Sequence, residues 1–387
     1  MSKLAMRRAW FQMHKWIGLI LAVLVIPISV TGAALVWHDG LDRMLNPQRF
    51  AVSGDALLTP DAYLAAARRV LAPGERVATL TMPHEGGPVV VAAAPAGPAP
   101  ARPGPPPRTN VYLDPPTARV LDKAPNSGGL IRAMHVIHGS LMVPGVGRQI
   151  VGWIGVAMLV STVSGIWLWW PTVGSWLRGL RWRRQRHFDG NLHHLFGFWI
   201  ALPLFMLSLT GAWISFPQFF AGLSGGGQAR GQGGRGGPGG GGGDRMAAMR
   251  AAPLAAPVQS VEAVIAAARP LGRGPLRSVA WPTERRADWT VSFGAGEGRP
   301  QGVTVADADR VAEQAEERGG GGGQNGTARL MRRLHDGTGM GIVWQVVIFL
   351  GGILPAVLAV TGIIMWWRAR GWKRDLARRQ RARAMAG

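Results

Sequence analysis

The sequence predicts an α-helical membrane protein with four transmembrane helices in two parallel repeats and two small α+β domains outside the membrane. Three observations carry this reading. Residues 17–37, 149–170, 195–216 and 342–367 are each long and apolar enough to cross a bilayer, which takes about 20 residues as a helix. The segment His14-Lys-Trp-Ile-Gly18, followed by Ser29-Val-Thr-Gly32, recurs at one constant offset as His193-His-Leu-Phe-Gly197 followed by Ser208-Leu-Thr-Gly211. Finally, the interval from His138 to Ser164-Gly-Ile-Trp-Leu-Trp-Trp170 equals that from His335 to Thr361-Gly-Ile-Ile-Met-Trp-Trp367.

The order of segments follows from these spans. Residues 1–38 hold the N-terminus and first span, 39–146 a first outer domain, and 147–170 the second span. Residues 171–192 form a basic loop and 193–216 the third span. A Gly-rich tether and second outer domain follow over 217–340, then the fourth span over 341–367 and a basic tail over 368–387. Basic residues crowd one set of span ends: Lys3, Arg7, Arg8 and Lys15, then five arginines between 178 and 186, then eight cations from Arg368 to Arg383, against only Asp189 and Asp375. Positive charge marks the cytoplasmic side, so both termini are expected in the cytoplasm of a bacterial inner membrane. Basic clusters beside spans also meet anionic lipid head groups. That placement argues for lipid as the partner and against nucleic acid, despite a formal charge of +22.

Each outer part carries a helix-then-strand pattern. Residues 60–68 lead to 77–83, and 261–269 lead to 277–282, with further strand-like runs at 89–94, 110–114 and 289–293. Residues 94–107, rich in Pro and Ala, and 224–243, mostly Gly, read as tethers, because they hold little apolar surface to offset the entropy of ordering. The Gly-rich run lacks the strand and Gly-Lys-Ser or Gly-Lys-Thr ending of a phosphate loop. There is no cysteine, which excludes disulfides, cysteine-ligated clusters and covalent haem attachment.

Nine histidines are present, and the repeat selects four. His14 and His193 precede spans leaving the cytoplasm; His138 and His335 precede spans returning to it. A parallel repeat relates the halves by a pseudo-two-fold axis along the membrane normal, so each pair faces itself across that axis with room for a planar macrocycle between. The expected cofactors are two non-covalent bis-histidine haems, an inner one at His14 and His193 and an outer one at His138 and His335. Two histidines per leaflet fall short of the ligand set that zinc takes. Gly18 and Gly197 stand four residues after their histidines, on the same helical face, where a missing side chain admits a porphyrin edge. The glycines at 32, 165, 211 and 362 serve either that clearance or helix packing. His194 points about 100° away from His193, and His135 lies one turn from His138; both are reserve ligands. His38, His135 and His187 fall opposite Pro217, Arg332 and Arg8 in the repeat, and His84 sits in the first outer domain. Arg132, Arg148, Arg332 and Arg333 near the outer site suit an anionic ligand or interfacial anchoring. The tryptophans near the inner boundary read chiefly as an aromatic belt.

These motifs, together with Ile137-His-Gly-Ser-Leu141 and Leu334-His-Asp-Gly337, resemble the PepSY-associated transmembrane helix family, which includes iron-regulated membrane proteins and ferric-siderophore reductases. The resemblance covers nearly the whole chain, with the outer parts similar to degenerate PepSY units. It implies b-type haem in four spans and, in the siderophore-linked members, electron delivery to iron chelates outside. The resulting expectation is a transmembrane haem-dependent oxidoreductase that takes electrons from a cytoplasmic flavoprotein or the quinol pool and reduces a periplasmic ferric siderophore. The competing expectation is a non-enzymatic membrane protein whose PepSY-like parts bind or regulate a periplasmic protein or peptidase.

Overall fold

The computed structural model describes residues 3–83, 86–95, 106–170, 185–223, 250–294, 301–314 and 326–386. They form two compact units, a helical bundle built from residues 1–37, 134–228 and 326–387, and a sheet unit built from residues 38–133 and 229–325.

The bundle contains four long apolar helices, α1 (Lys3–Leu35), α5 (Gly147–Trp169), α6 (Phe188–Ser215) and α10 (Gly341–Ala386). All four are long and apolar enough to span a membrane, and the protein is a multi-pass membrane protein. Their outer surfaces are apolar, with Val23 74% and Leu202 78% exposed, as suits side chains that meet lipid rather than water. α1 packs against α5 and α10, and α6 against the same two, so α1 and α6 sit on one diagonal. The closest approaches repeat across that diagonal. A Cβ on Gly155 of α5 would lie 3.6 Å from the Cβ of Ala212 on α6, and one on Gly352 of α10 would lie 3.3 Å from Ala33 on α1. Small residues facing each other let membrane helices come close enough for dispersion to hold them.

Two of these helices start earlier than hydropathy alone predicts. α1 begins at Lys3 and α6 at Phe188, ahead of the apolar stretches that start near residues 17 and 195. His14 and His193 therefore lie inside helices, one turn or more past the start. Two shorter helices, α4 (Gly129–Ser140) and α9 (Gly326–Asp336), precede α5 and α10. They carry His138 and His335. After each comes a left-handed turn, made by Leu141 (φ 51°) and Met142 (φ 59°) in the first half and by Gly337 (φ 78°) and Gly339 (φ 68°) in the second.

The sheet unit unites strands from both outer parts of the sequence. Its eight strands form one antiparallel sheet in the order β4-β3-β2-β1-β5-β6-β7-β8: β1 (Arg76–Thr81), β2 (Val89–Ala94), β3 (Thr109–Leu113), β4 (Val120–Pro125), β5 (Leu276–Ala280), β6 (Asp288–Phe293), β7 (Gln301–Ala306) and β8 (Ala312–Gln314). Each half supplies four strands, and they join where β1 meets β5. The seam is two-fold: Leu80 pairs Val279 at its centre, flanked by Thr79 with Ala280 and Thr81 with Ser278. The Met82 N–H donates to the Arg277 carbonyl (2.8 Å), and the Trp281 N–H donates to the Ala78 carbonyl (3.0 Å). β1 and β5 would otherwise be open edges, which invite pairing with other chains; among the described residues, joining them leaves β4 and the short β8 at the margins.

One face of the sheet is covered. α3 (Pro60–Val70) lies on β2 and β3, α8 (Val261–Ala268) on β6, β7 and β8, and the two helices touch. Alternate strand residues point under them, so Val89, Val91, Val111, Val279, Val291, Val303 and Phe293 are fully buried with Tyr63 and Trp289, each aliphatic worth about 1.5–3 kcal/mol of burial. The expected strand at 89–94 matches β2, while β4, β7 and β8 went unforeseen because their apolar alternation is short or interrupted by charge. Residues 96–105 of the first expected tether, the second tether at 224–243, the Gly run at 319–323, and His84 lie outside the described residues.

A buried aspartate ties each half of the unit together. Asp114 accepts from the Ser53 N–H (2.7 Å), the Ser53 hydroxyl (2.6 Å) and the Thr117 hydroxyl (2.5 Å). Asp307 accepts from the N–H groups of Val258 (2.9 Å) and Gln259 (3.1 Å) and from Trp289 Nε1 (2.7 Å). Burial alone would raise these carboxyls, but the donors outweigh it and hold both below their ordinary value. An unfolded aspartate titrates near about 3.9, so the stabilisation is complete above about pH 4 and is lost as pH falls through the folded values. Asp114→Asn and Asp307→Asn should each cost about 1–3 kcal/mol and reduce the acid sensitivity of the sheet unit. Amide exchange in β3 and β7 across pH 3–7 checks this, and an unchanged acid profile in the double variant would refute it.

Candidate functional site

The bundle brings together the four histidines that the repeat singles out. The imidazole centroids of His14 (α1) and His193 (α6) are 6.4 Å apart, and those of His138 (α4) and His335 (α9) are 6.0 Å apart. These are two opposed pairs.

Each ring is fixed from behind. His14 Nδ1 is 3.0 Å from both the Ser161 carbonyl and the Ser164 hydroxyl of α5. His193 Nδ1 makes the equivalent contacts on α10, 3.1 Å to the Leu358 carbonyl and 3.0 Å to the Thr361 hydroxyl. His138 Nδ1 lies 2.9 Å from the Ile28 carbonyl of α1. His335 Nδ1 lies 2.9 Å from the Thr210 hydroxyl of α6, and the His335 ring is hydrogen-bonded to the Leu207 backbone. A backbone carbonyl can only accept, so Nδ1 carries a proton, and in the neutral ring Nε2 then keeps its lone pair.

The Ser/Thr-Gly motifs acquire a role that periodicity leaves open. A Cβ on Gly32 would lie 2.5 Å from His138 Cε1, one on Gly165 3.0 Å from His14 Cε1, one on Gly211 3.2 Å from His335 Cε1 and one on Gly362 3.6 Å from His193 Cε1. These glycines seat the imidazoles, while the hydroxyl or carbonyl one turn or less before them accepts from Nδ1. By contrast, a Cβ on Gly18 or Gly197 would meet nothing within 4 Å, so the expected clearance beside His14 and His193 is open space. The signal for the seat was present in the constant spacing of histidine and motif; only packing shows which ring enters which motif.

The remaining described histidines do not join the pairs. His194 Nε2 contacts Gln185 Nε2 at 3.1 Å, and its ring is 6.5 Å from that of His193 at an angle of 83°. His135 is exposed on α4, His187 precedes the first turn of α6, and His38 meets Asp39 at 3.3 Å. Among the described residues no group of three His, Cys, Asp or Glu side chains converges. Arg333 donates to the carbonyls of Thr338 (3.2 Å) and Gly339 (3.0 Å), closing the turn after α9, and Arg148 donates to the Ile214 carbonyl. Among the tryptophans, Trp169 is buried and stacks on Phe198 with centroids 4.4 Å apart. Trp170 and Trp367 are exposed as a belt requires, and Trp176 and Trp182 lie outside the described residues.

Two imidazoles on opposite sides of one metal ion, with metal–nitrogen bonds of about 2.0 Å and rings about 1.1 Å from centre to nitrogen, have centroids about 6.2 Å apart. Both observed separations fit that value. Nδ1 bonded to a carbonyl or hydroxyl is also the outer-shell arrangement that metal-ligating histidines adopt. The family model for the PepSY-associated TM region matches residues 11–369. The chain belongs to this family. That match runs through all four spans and the sheet unit between them, and so covers the two histidine pairs of this PepSY-associated protein. No curated protein matches it.

The seat makes a graded prediction. Gly32→Ala and Gly362→Ala gain the same helix propensity, about 1 kcal/mol, but only the first forces a ring to move, at about 1–3 kcal/mol. Thermal unfolding of the detergent-solubilised chain should show Gly32→Ala less stable than Gly362→Ala. Equal melting temperatures would contradict the seating role.

Proposed function

We propose that the protein is an inner-membrane dihaem b-type oxidoreductase that passes electrons from the cytoplasmic side or the quinol pool to a periplasmic acceptor. The observation that carries this reading is the pair of opposed histidine couples, each with Nδ1 bonded away and Nε2 left for a metal. His14 and His193 would hold the inner haem, and His138 and His335 the outer one. Bound there, haem would supply a one-electron couple, and two histidine ligands for each centre would favour electron transfer over oxygen chemistry.

The helices set the span of the path. Ile28, whose carbonyl anchors His138, lies beyond His14 on α1 by the same interval that separates Leu207 from His193 on α6. That interval is about four helical turns, and at about 1.5 Å per residue it separates the pairs by roughly 21 Å along the helix axes. This is most of the roughly 30 Å hydrocarbon core. With the basic ends inside, His138 and His335 belong to the periplasmic leaflet. The exposed guanidinium of Arg332 and the neighbouring Arg148 give that end positive charge suited to an anionic chelate, and we assign a ferric siderophore as the acceptor, released as weakly held Fe(II) after one-electron reduction. The chain's residues supply ligation, orientation and exclusion of water; no acid, base or nucleophile is required.

Replacing His14 or His193 by Ala should remove one low-spin haem and leave the other, and replacing His138 or His335 should do the converse. Haem-to-protein ratio and visible spectra of the purified full chain measure it. A colourless protein from haem-replete cells would sink the proposal and favour a PepSY-associated binding or regulatory role.

A further inference from the structure

The bundle contains one buried acidic side chain. Its acids are Asp189, Asp336 and Asp375, and of these only Asp189, in the first turn of α6, is buried. Its carboxylate accepts from Arg368 Nη1 of α10 at 2.6 Å. The two side chains differ in their surroundings: that of Asp189 is 9% exposed and that of Arg368 52%. Water screens the arginine more than the aspartate, so the pair leaves a net negative field on its buried side.

This pair breaks the repeat. The residues equivalent to Asp189 and Arg368 are Trp10 and Pro171, which cannot form an ion pair. In the first half Arg7 instead donates to the Leu168 carbonyl at 3.4 Å. The inner ends of α1 and α5 are therefore joined by a cation on a neutral carbonyl, and those of α6 and α10 by a cation on a buried anion. Asp189 precedes His193 by one helical turn, about 6 Å along the axis. Arg368 is two turns beyond Thr361, whose hydroxyl contacts His193 Nδ1. The ion pair thus closes the same α6–α10 contact that orients His193, at its inner end.

We infer that Asp189 and Arg368 are a positioning and tuning pair for the inner site: the ion pair holds α6 on α10 so that His193 stays on Leu358 and Thr361, and the Asp189 charge makes reduction of a metal group at His193 harder. The inference rests on the haem reading above for its tuning half only. A negative charge near the iron stabilises the oxidised, more positive state, so Asp189→Asn should raise the inner midpoint potential and leave the outer one in place. Asp189→Glu should return it toward the original value. Arg368→Gln should move it down.

The measurement is a spectroscopic redox titration of the full chain in detergent, alongside a double-mutant cycle of Asp189→Asn and Arg368→Gln followed by thermal unfolding. Opposite shifts of the inner midpoint from the two single variants support tuning, since a merely structural role would not reverse sign with the charge removed. Unchanged inner potentials with both haems retained overturn it. Positioning is supported by coupling between the two sites in the unfolding cycle and overturned by additivity. The cycle reads out even from a colourless protein, in which case the haem reading fails and the ion pair is judged by itself.

Discussion

The bundle depends on one arrangement made four times: an imidazole whose Nδ1 donates to an acceptor on a neighbouring helix while its edge rests on a glycine. In an apolar medium a polar group without a partner is costly, so a histidine among membrane helices needs its hydrogen bonds made within the protein. The carbonyls of Ser161, Leu358, Ile28 and Leu207 meet that need. Because a carbonyl has no proton to give, the same bonds settle the tautomer and leave Nε2 as the only ring nitrogen with a lone pair to offer. Orientation, the position of the ring proton at Nδ1 and helix packing follow from a single contact.

That contact also explains how the repeat closes. α1 receives His138 at Ile28 and Gly32 and sends His14 to α5; α6 receives His335 at Thr210 and Gly211 and sends His193 to α10. Each long helix of the pair α1 and α6 is therefore both a donor and a seat. The sheet unit obeys the same two-fold logic by other means, with strand pairing centred on Leu80 and Val279. Duplication is thus used twice, for opposed side chains in the bundle and for edge-to-edge union in the sheet. The Asp189–Arg368 ion pair has no counterpart, and asymmetry of that sort is what a two-centre device needs if its centres are to differ.

Much of the architecture was legible in the sequence. Four apolar segments of sufficient length leave few choices in a bilayer, and the constant offset between the motifs around His14 and His193 separates the repeating histidines from the others. The strand β2 was visible as an unbroken apolar run of Val and Ala, and β6 because its apolar residues alternate. The joining of two outer parts into one sheet was not visible, because β1 and β5 read equally well as edge strands of separate sheets until their registers are matched. Nor did hydropathy locate the starts of α1 and α6, since it weighs transfer into lipid and not where a helix begins.

The sequence by itself determined which residues recur, hence the four histidines, the Ser/Thr-Gly motifs and the parallel order of spans, because periodicity and offset are properties of the chain. Only the tertiary structure decided that each motif seats a histidine from another helix, that Nδ1 and not Nε2 is engaged, and that the rings oppose at 6.4 and 6.0 Å. Those facts depend on contacts between residues far apart in the chain, such as His14 with Ser161 and His138 with Ile28. Such contacts are settled by close packing and hydrogen-bond geometry, which no local pattern encodes.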